Sequence, residues 1–339
     1  MDGYPPIAEH GLIGDLQTAA LVTTDGSIDW LCCPRFDSPS VFASLLDRER
    51  GGQFRIAPEG ADHVARQLYF PDTAILITRF MTPDGVGEVI DFMPVDDPHR
   101  ATDRHRLVRA VRCVRGQLRL VLDCAPRFDY GRQAHDLELT DQGAVFRTPA
   151  LQLTLHGPAG GLERHGDDVH ATIDLQAGQT DGVMLESAAQ GPPRRQSSDE
   201  LLAMFTQTAR FWRGWLGRST YRGRWREMVD RSAITLKLMT YAPTGGLVAA
   251  PTAGLPEQVG GERNWDYRYT WIRDASFSVH ALLGLGFTEE AAAFGSWLND
   301  RAAEQAGEGS GPLKIMYRVD GSSDLVEETL DHLEGYAGS

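Results

Sequence analysis

Cysteine is scarce and nowhere spaced for a metal. The four present are Cys32, Cys33, Cys113 and Cys124. Two are adjacent, which is poor geometry for bridging each other, and no CxxC pair exists. The plain reading is buried thiols in a reducing compartment. Long apolar runs are also missing. No stretch approaches about 18 continuous apolar residues, so no membrane span is expected. The opening residues, MDGYPPIAEHGLIGD, hold neither a basic region nor an apolar run. They do not read as a secretory signal, and the expected location is the cytoplasm. Positive charge is in deficit, with 33 Lys and Arg against 47 Asp and Glu, a net −14. Nucleic acid and anionic membranes both need a basic face, so neither is the expected partner. A neutral small molecule suits this balance. No metal and no cofactor is expected. There is no internal repeat at a fixed period and no low-complexity tract.

What remains is an ordinary globular composition, 42% hydrophobic and 24% charged, on 339 residues. That length favours two domains. The first 190 or so residues look β-rich. Apolar or alternating segments fall at 19–23, 27–31, 74–80, 88–93, 107–114, 118–122, 144–147 and 151–155. Turn signals separate them, among them Thr24-Asp25-Gly26, Pro83-Asp84-Gly85 and Arg115-Gly116-Gln117. Short strands at this spacing predict an antiparallel β-sandwich. A polar, Pro-containing break follows at 191–195. Ser197-Ser198-Asp199-Glu200 then reads as a capping box. The helix after it carries Leu201, Met204, Phe205, Thr208, Trp212 and Trp215 on one face. Further helices are expected over 225–241, with Met228, Val229, Leu236 and Met239 on a stripe, over 274–285, and from Thr288 to about Glu304. Glu289 and Glu290 sit in that last first turn, where the helix dipole favours acids. Residues 305–323, rich in Gly and Ser, read as a loop. The expected organisation is a sandwich over 1–192, a linker helix over 193–220 and an all-α region over 221–339.

One segment concentrates chemistry. Residues 264–276 hold Trp265, Asp266, Tyr267, Arg268, Tyr269, Trp271, Arg273 and Asp274: four aromatic rings, two arginines and two aspartates. A sugar asks for this mixture. A guanidinium offers only donors and a carboxylate only acceptors, so an adjacent Arg273 and Asp274 suit neighbouring hydroxyls. The apolar face of the ring suits an indole such as Trp271. Asp274 is also a candidate helix cap. The residues alone leave a second reading open, a helix start with a capping aspartate, an ion pair and core aromatics.

Other blocks run along the chain. Near the start stand Glu9-His10-Gly11-Leu12-Ile13-Gly14-Asp15, Gly26-Ser27-Ile28-Asp29-Trp30-Leu31-Cys32 and Arg35-Phe36-Asp37-Ser38-Pro39-Ser40. Ala250-Pro251-Thr252-Ala253-Gly254-Leu255-Pro256-Glu257 leads into the strip. Leu330-Asp331-His332-Leu333-Glu334-Gly335-Tyr336 follows it. With these blocks the chain resembles bacterial members of glycoside hydrolase family 15, the glucoamylase and trehalase family. The resemblance covers essentially the whole chain and its N-terminal part favours the trehalase-like subgroup. It implies a β-sandwich followed by an (α/α)6 barrel, and hydrolysis of an α-glucosidic bond with inversion, α,α-trehalose being the favoured substrate. It implies that Trp271, Arg273 and Asp274 line the subsite for the non-reducing glucose, with Asp266, Tyr269 and Trp265 lining or supporting the same pocket.

The chain departs from the family in one respect. Inverting hydrolysis needs two carboxyls about 6.5–9.5 Å apart, and neither family glutamate has a matching position here. No catalytic residue is therefore expected among these 339. The 119 residues from Tyr221 onward (339 − 221 + 1) offer only the first part of a barrel. Glu257, Glu327, Glu328 and Glu334 are candidates by type only. Glu327 and Glu328 read as the solvated face of a helix. His10 is expected to serve the sheet, and His280 and His332 to lie in or beside helices. The turn at 35–39 reads as a plain loop, with reach across to the barrel mouth as the alternative. Helices lacking barrel partners would expose apolar faces, so the chain alone is expected to aggregate, or to persist as a homo-oligomer or with its missing half. The alternatives to an enzyme are a non-catalytic glucoside-binding fragment and a purely structural domain.

Overall fold

The computed structural model of the chain describes residues 3–307 and 312–339. Its spine is a single 20-residue strand, Arg106–Ala125. The sequence predicts two strands here, parted by a turn at Gly116. Instead Gly116 takes φ +73 and passes within 2.1 Å of the Asp84 carbonyl, measured from where a Cβ would sit. The glycine admits a close crossing of two chains and not a reversal. The first half of the strand pairs with Gly85–Phe92 and Thr180–Ser187. The second half pairs with Gln53–Pro58 and Asp168–Gln176. The spine thereby joins everything into one sheet of fifteen strands among the described residues.

The ladders are antiparallel, and the two halves share one core. Ile28, Phe54, Ile56, Leu120 and Leu122 from one half meet Phe80, Val89, Val111, Phe146, Leu155 and Val183 from the other. Each such side chain contributes roughly 1.5–3 kcal/mol by leaving water. The predicted sandwich is thus one sheet folded over on itself. Strands Ala19–Thr23, Ser27–Cys32, Leu76–Met81, Gly85–Phe92, Gly143–Arg147 and Gln152–His156 lie where the alternation puts them.

Helix α1 spans Ser198–Leu216 and opens on the predicted capping box. The Ser197 hydroxyl accepts from the Glu200 amide at 3.2 Å, and the Glu200 carboxylate accepts from the Ser197 amide at 2.8 Å. Leu201 and Ala209 pack on the sheet, whereas Trp212, Trp215 and Leu216 enter a second core. That core also takes Leu16, Phe36 and Ala74 from the sheet region, and Ile234, Leu238, Phe287, Phe294 and Trp297 from the helices.

Helix α2, Arg226–Leu238, is shorter than the periodicity predicts, because Thr240–Tyr241 turns back to pair with Gly246–Leu247. Its buried stripe is Asp230, Ala233, Ile234, Lys237 and Leu238. Met228, predicted to face inward, is exposed. Helix α3, Ile272–Gly284, begins two residues earlier than expected. Helix α4 is Thr288–Gly307. Of the predicted loop 305–323, residues 308–311 lie outside the described residues, and Met316–Tyr317 forms a short strand against Thr270–Trp271. The helix expected around Glu327, Glu328 and His332 is absent among the described residues. Tertiary bonds hold that backbone instead: Arg50 donates to the His332 carbonyl at 2.6 Å, and the Glu334 amide donates to Asp47 at 3.1 Å. Among the described residues no helix is long and apolar enough to cross a membrane.

Candidate sugar site

Residues 264–276 form a ribbon that runs straight into α3. On one side Ala253 bridges Asp266, and the amides of Ala250 and Ala249 donate to the carbonyls of Tyr267 and Tyr269. On the other, Thr270–Trp271 pairs with Met316–Tyr317. Extended backbone sends alternate side chains to opposite faces. Tyr267, Tyr269 and Trp271 take one face and stay partly exposed, while Arg268 and Thr270 point inward and are buried.

The aromatic face leads to the sugar candidates. The Tyr267 and Trp271 rings lie 6.0 Å apart, tilted by 31°. The Trp271 indole N–H is buried and lacks a hydrogen-bond partner among the described residues. An unpaired buried donor is costly, of order 1–3 kcal/mol. Trp271 is the residue before α3, and Arg273 and Asp274 lie in the helix's first turn. The Asp274 side chain makes no capping bond, so the predicted cap is not its role. The Arg273 side chain is 70% exposed and donates to Asp274 at 3.1 Å. Its guanidinium sits 5.9 Å from the Trp271 ring centre. Trp271, Arg273 and Asp274 are thus brought together, with donors and an acceptor beside an aromatic face. Tyr269 is half-buried, under the Arg318 guanidinium at 5.9 Å. Burial raises its phenol pKa above the ordinary value.

Asp266 and Trp265 are placed differently. Asp266 Oδ1 accepts from the Arg268 amide at 3.0 Å and from its Nε at 2.9 Å, and Oδ2 accepts from Nη2 at 2.6 Å. Both oxygens are therefore occupied by one arginine. Trp265 stands exposed at the start of the ribbon.

The residue that the composition of the strip did not single out is Arg268. It is 3% exposed. Nη1 donates to the Ser38 carbonyl at 2.6 Å, and Nη2 to the Tyr130 hydroxyl at 2.7 Å. Burial opposes its charge, but Cys32, Asp266 and Tyr130 outweigh burial and lift its pKa well above the ordinary value. Its position between two tyrosines in an alternating run was the available signal. The turn at 35–39 does reach the helical part: Arg35 pairs with Asp320 at 2.7 Å and Asp37 with Arg318 at 3.0 Å.

The other acids and histidines singled out in the sequence are engaged elsewhere or face solvent. Glu328 pairs with Arg132 at 2.6 Å, and Glu334 accepts from the Tyr4 hydroxyl at 2.9 Å. Glu257 lies 3.7 Å from Arg263, and Glu327 is exposed. His10 pairs with Asp29 at 2.8 Å inside the sheet. His280 lies on α3, exposed, and His332 bonds the Tyr130 carbonyl at 2.8 Å. Among the described residues no three His, Cys, Asp or Glu side chains gather as metal ligands. Two clefts of about 430 and 460 Å³ open on the sheet half, and neither is lined by any residue of 264–276.

Residues 2–191 match the family described as Trehalase-like, N-terminal, and residues 223–339 match Glycosyl hydrolases family 15. The chain is 39% identical to a trehalase of Mycolicibacterium smegmatis, over 99% of its own length and 53% of that protein's. It is 38% identical to a trehalase of Mycobacterium tuberculosis, over 98% and 52%. A trehalase of Thermoplasma volcanium matches at 34% identity, over 100% and 53%. The chain spans about half the length of the curated relatives it matches.

Proposed function

Because the chain belongs to glycosyl hydrolase family 15 and carries the trehalase-like N-terminal domain, we propose that it serves inverting hydrolysis of α-glucosidic bonds, with α,α-trehalose as the favoured substrate. In this reading the folded sheet over 1–192 and the linker over 193–220 precede the first part of an (α/α)6 catalytic domain at 221–339. The 264–276 ribbon is the wall that receives the non-reducing glucose. One observation carries this assignment: a buried, unpartnered Trp271 indole N–H beside the exposed Arg273–Asp274 pair at the start of α3. The indole face takes the apolar side of the sugar ring. The indole N–H and the guanidinium donate to hydroxyls, and Asp274 accepts. Charge-assisted bonds of this kind contribute roughly 1.5–3 kcal/mol each. Tyr269 flanks the ring, Asp266 supports the wall through Arg268, and Trp265 stands at its exposed edge.

We assign no catalytic acid to these 339 residues, because neither family glutamate has a matching position among them. The 339-residue chain by itself is expected to bind a glucoside without cleaving it. Four free, buried thiols support a cytoplasmic location. Calorimetric titration with trehalose and with maltose tests the reading. Saturable heat with trehalose is expected, and Asp274→Ala should weaken binding by about 10- to 100-fold. No heat with either sugar contradicts it.

A further inference from the structure

The sugar wall is not free-standing. Two arginines of the helical half grip one turn of the sheet, and each adjoins the wall. Arg268 lies between Tyr267 and Tyr269 and donates to the carbonyls of Phe36, at 3.4 Å, and Ser38, at 2.6 Å. Arg318 follows the strand that pairs with Thr270–Trp271 and covers the Tyr269 ring. Its Nε lies 3.0 Å from the Asp37 carboxylate, and its Nη2 donates to the Asp37 carbonyl at 3.0 Å.

Asp37 is the centre of this contact. Its side chain is 0% exposed, yet it carries two cations, Arg318 and Arg35, whose Nε donates at 3.0 Å. Arg35 in turn holds Asp320 at 2.7 Å, and Asp320 accepts from the Ser322 amide at 3.0 Å. Burial opposes the charge on Asp320, but that amide and Arg35 keep its carboxyl below the ordinary value. The result is an alternating chain, Asp320–Arg35–Asp37–Arg318, with matched charge. Ionic groups are a poor choice for plain adhesion, because desolvating them offsets most of what they gain. What fixed, directional bonds do supply is register. They act here on the two sequence neighbourhoods that flank Tyr269 and Trp271.

We infer that the turn at 35–38 is a template built into the N-terminal sheet, which sets the position of the glucose-facing residues Tyr269 and Trp271, with Asp37 as the central positioning residue. This rests on the sugar-binding reading above. It assigns the trehalase-like N-terminal domain a share in substrate recognition without contact with the substrate. Asp37 reaches the wall through Arg318, and Arg268 reaches the turn through the backbone carbonyls of Phe36 and Ser38.

Amide hydrogen exchange on the 339-residue chain tests the template. Asp37→Asn and Arg318→Gln are compared with wild type, singly and together. Exchange in segments 266–272 and 314–320 should speed up about tenfold or more, while strand 106–125 keeps its protection. Trehalose affinity should fall about tenfold in either variant, and the double variant should be no weaker than Asp37→Asn, because both remove one coupled contact. Arg318→Lys keeps the charge and folds under a milder change, and should recover part of both effects. Unchanged exchange in 266–272, or a rise that spreads equally to strand 106–125, overturns the template. If wild type takes up no trehalose, the sugar reading fails, and the exchange comparison alone decides whether the turn positions the wall.

Discussion

Trp271 offers the sharpest test of chemistry at one atom. Its ring and its N–H can be separated: Trp271→Phe keeps an aromatic face and removes the donor. Loss of about 0.5–1.5 kcal/mol of sugar affinity, roughly three- to tenfold, is expected, measured by calorimetric titration. His105 is a residue of a different kind. It is buried, with Nδ1 2.6 Å from Asp15. Burial works against its protonation, but the Asp15 charge and hydrogen bonds outweigh it, so the folded pKa is raised. The protonated form is thus the better bound in the folded state. The stability it contributes is complete below the unfolded pKa, about 6.5, and is lost as pH rises through the folded value. Thermal melts of wild type and His105→Gln should therefore differ most below about pH 6.5 and converge in alkaline buffer.

Helix α1 is the element most openly written in the sequence. Its capping box and its inward tryptophans fall where the spacing of three and four places them. Ser197→Ala removes one side of the box and should cost about 1 kcal/mol in denaturant unfolding. The start of α3 was less exact: the helix begins at Ile272, two residues before the expected start, and Asp274 makes no capping bond. The rest was less legible, for identifiable reasons. Gly116 looks like a turn residue, but its positive φ serves a close crossing within one long strand, a tertiary matter that local spacing does not carry. Met228 fits an apolar stripe on α2 yet is exposed, while Asp230 and Lys237 are among the buried members, and Lys237 is held by Glu290 at 3.0 Å. Residues 324–333 have helical composition but form no helix, and the His332 carbonyl accepts from Arg50 instead. The burial of Arg268 was not readable, because the carbonyls of Phe36 and Ser38 that hold it lie far away in sequence.

At the scale of the molecule, the sheet and the helices share a core through α1 and through Leu16 and Phe36. The same helices leave large apolar side chains in water: Trp225, Met228 and Phe277, the last 74% exposed. Exposed apolar groups of this size favour association. The 339-residue chain should self-associate with rising concentration in sedimentation experiments, and Phe277→Ser should weaken that association. A monomer at all concentrations would count against it. The central claim is that the ribbon entering α3 is a glucoside-binding wall. Its most direct test is the indole N–H resonance of Trp271, assigned by its loss in Trp271→Phe and followed through a trehalose titration. A saturable shift of this resonance, abolished by Asp274→Ala while the other indoles stay in place, is the predicted result. A Trp271 resonance that does not move, or that moves only together with every other indole, would contradict the account.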